Sequence, residues 1–275
     1  MILVVTVNYN NAAITNQMIE NIASITDHSE IRVIVVDNNS NDKSELKNND
    51  FTEILYLPKN IGYFPALNKG LESQKIEHFD YVIICNNDLI FENNFFSLLK
   101  KKKYIEKVFS VSPRILDMDG IDQNPVFEKC ASSFKLFFYT LYYSNYYLGK
   151  LLYNTWQLIK PKSKIESGKS HVIFQGYGAI YILTRNFFTK NKTLDSPLFL
   201  MEEEAFLGYQ IDSSGGLQYY DNELIVHHKE HSSCKNVPSK QIYLYSKESF
   251  KQSKIKQKKQ KKITDLELNL VCEIV

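Results

Sequence analysis

The chain predicts an α/β fold, a mostly parallel central sheet flanked by helices, and three observations carry that expectation. Short β-branched runs, each suited to one buried strand, alternate with segments of helical apolar period. The first strand, helix and second strand together take about 35 residues, a βαβ unit that requires parallel neighbours. Three strands end abruptly in Asn and Asp, giving one rim of the sheet a polar edge at the carboxyl ends, where open α/β sheets bind ligands.

In chain order, Ile2 to Val7 is the first strand, stopping at Asn8-Tyr9-Asn10-Asn11. Ala12 to Ile25 sets Ile14, Met18, Ile19, Ile22 and Ile25 at helical spacing. Ile31 to Val36 is a second buried strand closed by Asp37-Asn38-Asn39-Ser40, and Ile54 to Leu57 a short third. Asn60-Ile61-Gly62 follows. Gly62 permits a tight turn before a helix over Ala66 to Ser73, whose N-terminal end is suited to an anion.

Tyr81 to Cys85 is the strand that delivers Asn86-Asn87-Asp88, with Asp88 the candidate for handling a metal ion or a phosphate. A lone turn carboxylate would look the same, but three polar strand ends on one rim favour a nucleotide site. Leu89 to Lys103 reads as an amphipathic helix ending in four lysines, which suit the helix C-terminus or an anionic lipid. Val108 to Ile115 is the next strand.

The ordered set Val7-Asn8-Tyr9-Asn10, Val36-Asp37-Asn38-Asn39-Ser40, Asn60-Ile61-Gly62 with Asn68-Lys69-Gly70, and Asn86-Asn87-Asp88 resembles the signature of the family 2 glycosyltransferases of the GT-A fold, of the bacterial polysaccharide and rhamnosyltransferase kind. The resemblance covers roughly residues 1–235. It implies a nucleotide-binding half over 1–116, an aromatic-rich insertion over 117–170 and an acceptor half over 171–235, followed by a basic extension over 236–275.

The resemblance also implies roles. Asn8, Tyr9 and Asp37 would hold the base and ribose of a nucleoside-diphosphate-sugar donor, and Asn60 and Asn68 would shape the pocket. Asp88 would bind Mg2+ or Mn2+ at the diphosphate, supported by Asn86 and Asn87. Farther on, Gln175-Gly176-Tyr177-Gly178 precedes a strand that looks like the floor for donor sugar and acceptor.

Glu202-Glu203-Glu204 opens an apolar helix; acids there stabilise the helix dipole, and a general base is the other use for them. Matching Glu203-Glu204 to the family's acidic pair makes Glu204 the base and gives Glu203 the acceptor hydroxyls, with Glu203 second choice for base. Leu217 to Tyr220 and Leu224 to Val226 look like closing strands ahead of His227-His228-Lys229-Glu230-His231-Ser232-Ser233. His227, with Ser232 five positions on, fits the family's spacing for a ligand of the divalent ion or the diphosphate. Inversion at the anomeric carbon is implied by the same resemblance.

Residues 134–159 gather Phe134, Phe137, Tyr142, Tyr147, Trp156 and other rings with several leucines, a stretch suited to core packing, a membrane or acceptor lipid, or a dimer contact. Residues 240–262 carry nine lysines and one acid, leaving 24 basic and 30 acidic residues elsewhere, so a mildly acidic body bears a basic tail. That tail, helical or disordered, suits an anionic membrane surface; no nucleic-acid motif accompanies it. Oligomers are compatible with the sequence.

At 275 residues with 44% apolar and 23% charged residues, the composition is that of an ordinary soluble protein. No apolar run reaches the roughly 20 residues needed to span a bilayer, and the start has no signal-peptide pattern. Cys85, Cys130, Cys234 and Cys272 are too far apart for a zinc motif, which points to a reducing, cytoplasmic setting, and the basic tail adds a peripheral position at the inner face of the cell membrane. A nucleotidyltransferase and a non-catalytic sugar-nucleotide-binding partner subunit remain the alternatives; the first would carry a glycine-rich loop after the first strand, where Asn8-Tyr9-Asn10-Asn11-Ala12 has none.

Overall fold

The β-branched runs become the centre of the sheet because both of their faces find apolar cover. The computed structural model describes residues 1–129, 133–159, 168–229 and 239–264, with side chains described outside 133–135, 156–159, 239 and 254–264. Strands β1 (Ile2–Asn8), β2 (Ile31–Asp37), β3 (Thr52–Tyr56) and β4 (Tyr81–Cys85) are parallel in the order β3-β2-β1-β4. Helix α1 (Ala12–Ile25) covers one face and α2 (Tyr63–Glu72) the other. Side chains alternate accordingly: Ile2 and Val4 join Met18 and Ile22, whereas Leu3 and Val5 join Phe64 and Leu67. Removing one such side chain to alanine costs about 2–5 kcal/mol.

Beyond β4 the chain adds β5 (Leu89–Phe91), α3 (Phe95–Lys101), β6 (Val108–Leu116), α4 (Ser133–Tyr142), α5 (Tyr146–Ile159), β7 (His171–Ile173), β8 (Ile180–Thr184), α6 (Arg185–Lys190), α7 (Glu203–Ser213), β9 (Leu217–His228) and α8 (Ser239–Thr264). The sheet continues β4-β8-β6-β9-β5, with β7 also on β9. Strand β8 is antiparallel to both neighbours, so β6 and β9 run in the direction of the first four strands. The result is a mostly parallel sheet flanked by helices.

Three local expectations change. Leu89–Lys103 is not one helix: its first three residues pair antiparallel with β9, a tertiary contact that overrides their helical spacing, and α3 starts only after Asn94. Helix α2 begins at Tyr63, three residues early, because Pro65 is tolerated in a first turn. The two short closing strands are one strand, β9, irregular opposite Pro113 and Arg114. Of the four lysines after α3's core turn, Lys100 pairs with Glu30, and Lys102 with Asp221 and Glu223. Among the described residues, no helix is long and apolar enough to cross a membrane. Cys130, Cys234, Cys272 and the segment from Glu230 to Ser233 lie outside the described residues.

Candidate active site

The carboxyl ends of β1, β2 and β4 are tied into one buried polar frame. Asn8 donates from Nδ2 to Asp37 Oδ2 at 2.9 Å and to Ser40 Oγ at 3.0 Å, and its Oδ1 accepts from Thr15 Oγ1 at 2.8 Å. Asn87 Nδ2 donates to the same Thr15 hydroxyl at 2.8 Å, so the loop after β4 is joined to β1 through α1. Asp37 also accepts from the Ser40 backbone N–H through Oδ1. Asn8 and Asp37 are fully buried, while Tyr9 beside them is exposed. Asn10 and Asn39 hold left-handed backbone (φ 56° and 64°), which asparagine adopts more readily than most residues. Thr15 and Ser40 carry this frame without having been singled out as site residues.

Asn60 and Asn68 act on loops. Asn60 Oδ1 accepts from Asn38 Nδ2 and from the Gly62 backbone N–H, while Asn38 Oδ1 accepts from the Ile61 N–H. Gly62 (φ 95°) lies against the Phe199 carbonyl, where an added Cβ would sit 2.2 Å from the oxygen; only glycine serves there. The Tyr63 N–H donates to that carbonyl at 3.0 Å. Asn68 faces the same segment, bonding the Leu194 backbone in both directions and Ser196 Oγ. Asn68 directly, and Asn60 through the Gly62 turn, hold the Leu194–Phe199 stretch, which leads into the three glutamates, against the parallel half of the sheet. Asn86 is fixed by its backbone N–H on the Ala179 carbonyl.

Asp88 is buried, and its Oδ1 has no hydrogen bond. The register Leu89↔His228 brings His228 to it, with Nε2 3.3 Å from Oδ1 and the Lys229 N–H on the Asp88 carbonyl. His227, expected at this position, instead meets Glu92 Oε1 at 2.7 Å, because successive residues of a strand point to opposite faces. His228 Nδ1 lies 3.0 Å from Gln123 Oε1. When Nδ1 donates there, a neutral ring turns its Nε2 lone pair toward Asp88 Oδ1, and two acceptors this close are reconciled only by a proton or a cation. The orphaned oxygen and the oriented imidazole fit a divalent ion that takes its remaining ligands from a diphosphate and water.

The acids of α7 form the other wall. Met201 and Glu202 are left-handed (φ 75° and 65°), an unfavourable conformation for either residue, and they set the entry to the helix. Burial pushes the Glu202 carboxyl up to about 7 and the Glu203 carboxyl to about 8, the negative charge of Glu204 adding to both. Glu203 is buried with Oε1 unpaired. Burial also raises Glu204, opposed by backbone N–H groups of its own residue and of Gly178. A Cβ on Gly178 would fall 2.6 Å from Glu204 Oε1, so the missing side chain is what admits this carboxylate.

Tyr63 joins the two walls. Its hydroxyl is held far above the usual phenol range by burial and then by the charges of Cys85, Glu203, Asp88 and Glu204. One side chain thus feels both the β4 aspartate and the α7 acids. Tyr181, whose hydroxyl donates to the Gly176 carbonyl at 2.8 Å, is likewise raised by burial and by Glu204. Neither tyrosine was singled out from the sequence, where both look like ordinary core aromatics.

A half of four parallel strands, a mixed half beyond it and a polar rim at the strand ends make up the architecture of the GT-A fold. Residues 3–124, less than half of the chain, match the family described as "Glycosyl transferase family 2". Solved structures with the same fold include TarS 1–349 of S. aureus in complex with UDP-GlcNAc (TM-score 0.54, 11% identity, 84% of this chain and 59% of that one). GalNAc-T7 with UDP, GalNAc and Mn2+ gives TM-score 0.58, 15% identity, and 85% and 44% coverage. The mannosyltransferase PcManGT of Pyrobaculum calidifontis with GDP-Man and Mn2+ gives 0.52, 13%, and 84% and 57%. At these identities the likeness is one of fold, and the chain spans about half the length of these proteins. No curated protein matches it by sequence.

Proposed function

We infer that the protein moves a sugar, of hexosyl or rhamnosyl type, from a nucleoside-diphosphate donor to a hydroxyl of a saccharide or lipid-linked saccharide, with inversion, in bacterial surface polysaccharide synthesis. The observation that carries this reading is the unbonded Asp88 Oδ1 beside His228, with the Glu203–Glu204 pair near enough for its charge and that of Asp88 to act on the same Tyr63 hydroxyl.

Asp88 and His228 would hold Mg2+ or Mn2+, and two of the structural relatives, solved with Mn2+, support a divalent ion in that role. Such an ion supplies neutralisation of the leaving diphosphate. Tyr9 and the rim formed by Asn8, Asp37, Asn60, Asn68, Asn86 and Asn87 receive the nucleotide, most of them by fixing the loops that surround it. Glu204, admitted by Gly178 and raised by burial, takes the acceptor proton as the hydroxyl attacks. Glu203 orients acceptor hydroxyls.

The test is a screen of UDP-, dTDP- and GDP-sugars with Mn2+ for thermal stabilisation and slow donor hydrolysis. One donor class should raise the melting temperature, since a bound ligand stabilises by mass action. Asp88→Asn should abolish turnover with the fold intact. No response to any donor, or full turnover in Asp88→Asn, overturns the reading.

A further inference from the structure

Helices α4, α5 and α8 make one module with two faces. Its inner face is aromatic: Tyr143 stacks on Phe250 at 5.1 Å, Tyr142 and Tyr146 meet Tyr243 at 5.8 and 5.2 Å, and the Tyr243 hydroxyl donates to the Tyr142 carbonyl. Gly149 lets α5 approach, since a Cβ there would come within 3.0 Å of the Tyr243 ring. This packing accounts for part of the aromatic stretch, and some of its other described side chains lie outside. Phe137 (63% exposed) and Leu141 follow each other at i and i+4 on α4, as do Tyr147 (75%) and Leu151 (60%) on α5.

Charge is segregated with the same boundaries. Helices α4, α5 and α8 contain eleven lysines and one acid, Glu248, whereas the remainder of the chain has 22 basic and 30 acidic residues. Lys150, Lys240 and Lys251 are exposed. A second copy of the chain would bring the same excess of positive charge to this face. An anionic lipid surface satisfies both properties at once, taking the rings and leucines at the headgroup boundary and the lysines among the phosphates.

We propose that the outer face of the α4–α5 hairpin, with the lysine-rich α8, is a docking surface for anionic bilayers. The surface is anchored to the acids: Tyr143 donates to Glu202 Oε1 at 3.2 Å, and Ser249 Oγ to the Met201 carbonyl at 2.9 Å. A docked chain would therefore hold its α7 acids at a fixed station relative to the membrane. The surface does not depend on the transferase reading, and its test uses no turnover.

The experiment is vesicle co-sedimentation of the full chain, with phosphatidylcholine alone and with phosphatidylcholine mixed with phosphatidylglycerol, at low and high salt. Binding should require phosphatidylglycerol and weaken with salt. Lys150→Gln/Lys240→Gln/Lys251→Gln should weaken it about 100-fold, each lysine being worth about fivefold. Phe137→Ser/Leu151→Ser should weaken it by about tenfold or more, with an unchanged melting temperature showing that the fold survives. Equal binding to neutral vesicles, or no loss in either variant, overturns the proposal. So does a single-stranded RNA probe that binds where vesicles do not, or a dimer in solution that Phe137→Ser/Leu151→Ser dissolves.

Discussion

Glu203→Gln should make the protein more stable, and increasingly so as pH rises. The Glu203 carboxyl is buried and raised from 4.5 to about 8, first by burial and then by the charge of Glu204. Below about pH 4.5 it is protonated whether the chain is folded or unfolded, and stability is indifferent to it. Between 4.5 and 8 the unfolded chain releases the proton while the folded chain keeps it. The folded state binds more protons over that window, so stability falls as pH rises and levels off above 8.

Each pKa unit is worth about 1.4 kcal/mol, which sets a ceiling of about 5 kcal/mol for the full window. A glutamine carries no such penalty. With about 2 °C of melting temperature per kcal/mol for a chain of this size, the variant's advantage should grow from near zero at pH 4.5 toward about 10 °C at pH 8. Thermal melts across this range, without donor or divalent ion, measure it directly. Parallel curves for the two proteins would refute the argument, because they would mean that Glu203 titrates alike in both states.

Three further outcomes follow from the same geometry. His228→Gln should lower Mn2+-dependent donor turnover at least about tenfold, whereas His227→Gln should leave it nearly unchanged; titrating Mn2+ against each variant reads the difference. Gly178→Ala should displace the Glu204 carboxylate and reduce kcat by about 100-fold with a much smaller change in KM, measured by steady-state kinetics. Thr15→Val keeps the shape but strands Asn8 Oδ1 and Asn87 Nδ2, so denaturant unfolding should show a loss of about 2–4 kcal/mol.

The parallel half of the fold is legible because its information is local: β1, α1 and β2 each carry their own period and end signal. Strand β5 is not, since three residues acquire strand identity only from β9, which lies far along the chain. The order β4-β8-β6-β9 is likewise set by pairing between distant segments. The break between α4 and α5 had a readable signal that went unused. Asn145 Oδ1 accepts from the Tyr147 N–H, so this asparagine starts the second helix as such residues commonly do. The sequence doubles both partners of the expected His-to-Ser spacing: His227 has Ser232 five positions on, and His228 has Ser233. Spacing cannot separate two such pairs. The strand register can, because a shift of one residue exchanges the buried face for the exposed one.

The polar rim divides into groups that are satisfied and groups that are not, and the division separates frame from chemistry. Asn8, Asp37, Asn60, Asn68 and Asn87 spend their hydrogen bonds on one another, on Thr15 and Ser40, or on loop backbone. Polar side chains so fully engaged rigidify what they join. Asp88 Oδ1 and Glu203 Oε1 are buried without a hydrogen bond, a state that costs about 1–3 kcal/mol for each group. Met201 and Glu202 add left-handed backbone at the same wall. Unfavourable terms gathered around Tyr63 persist only if the surroundings cannot relax to remove them, and the engaged asparagines supply that resistance. A ligand that brings a cation to Asp88 and hydroxyls to Glu203 would relieve both deficits on arrival, and the frame would then be what holds those two positions open for it.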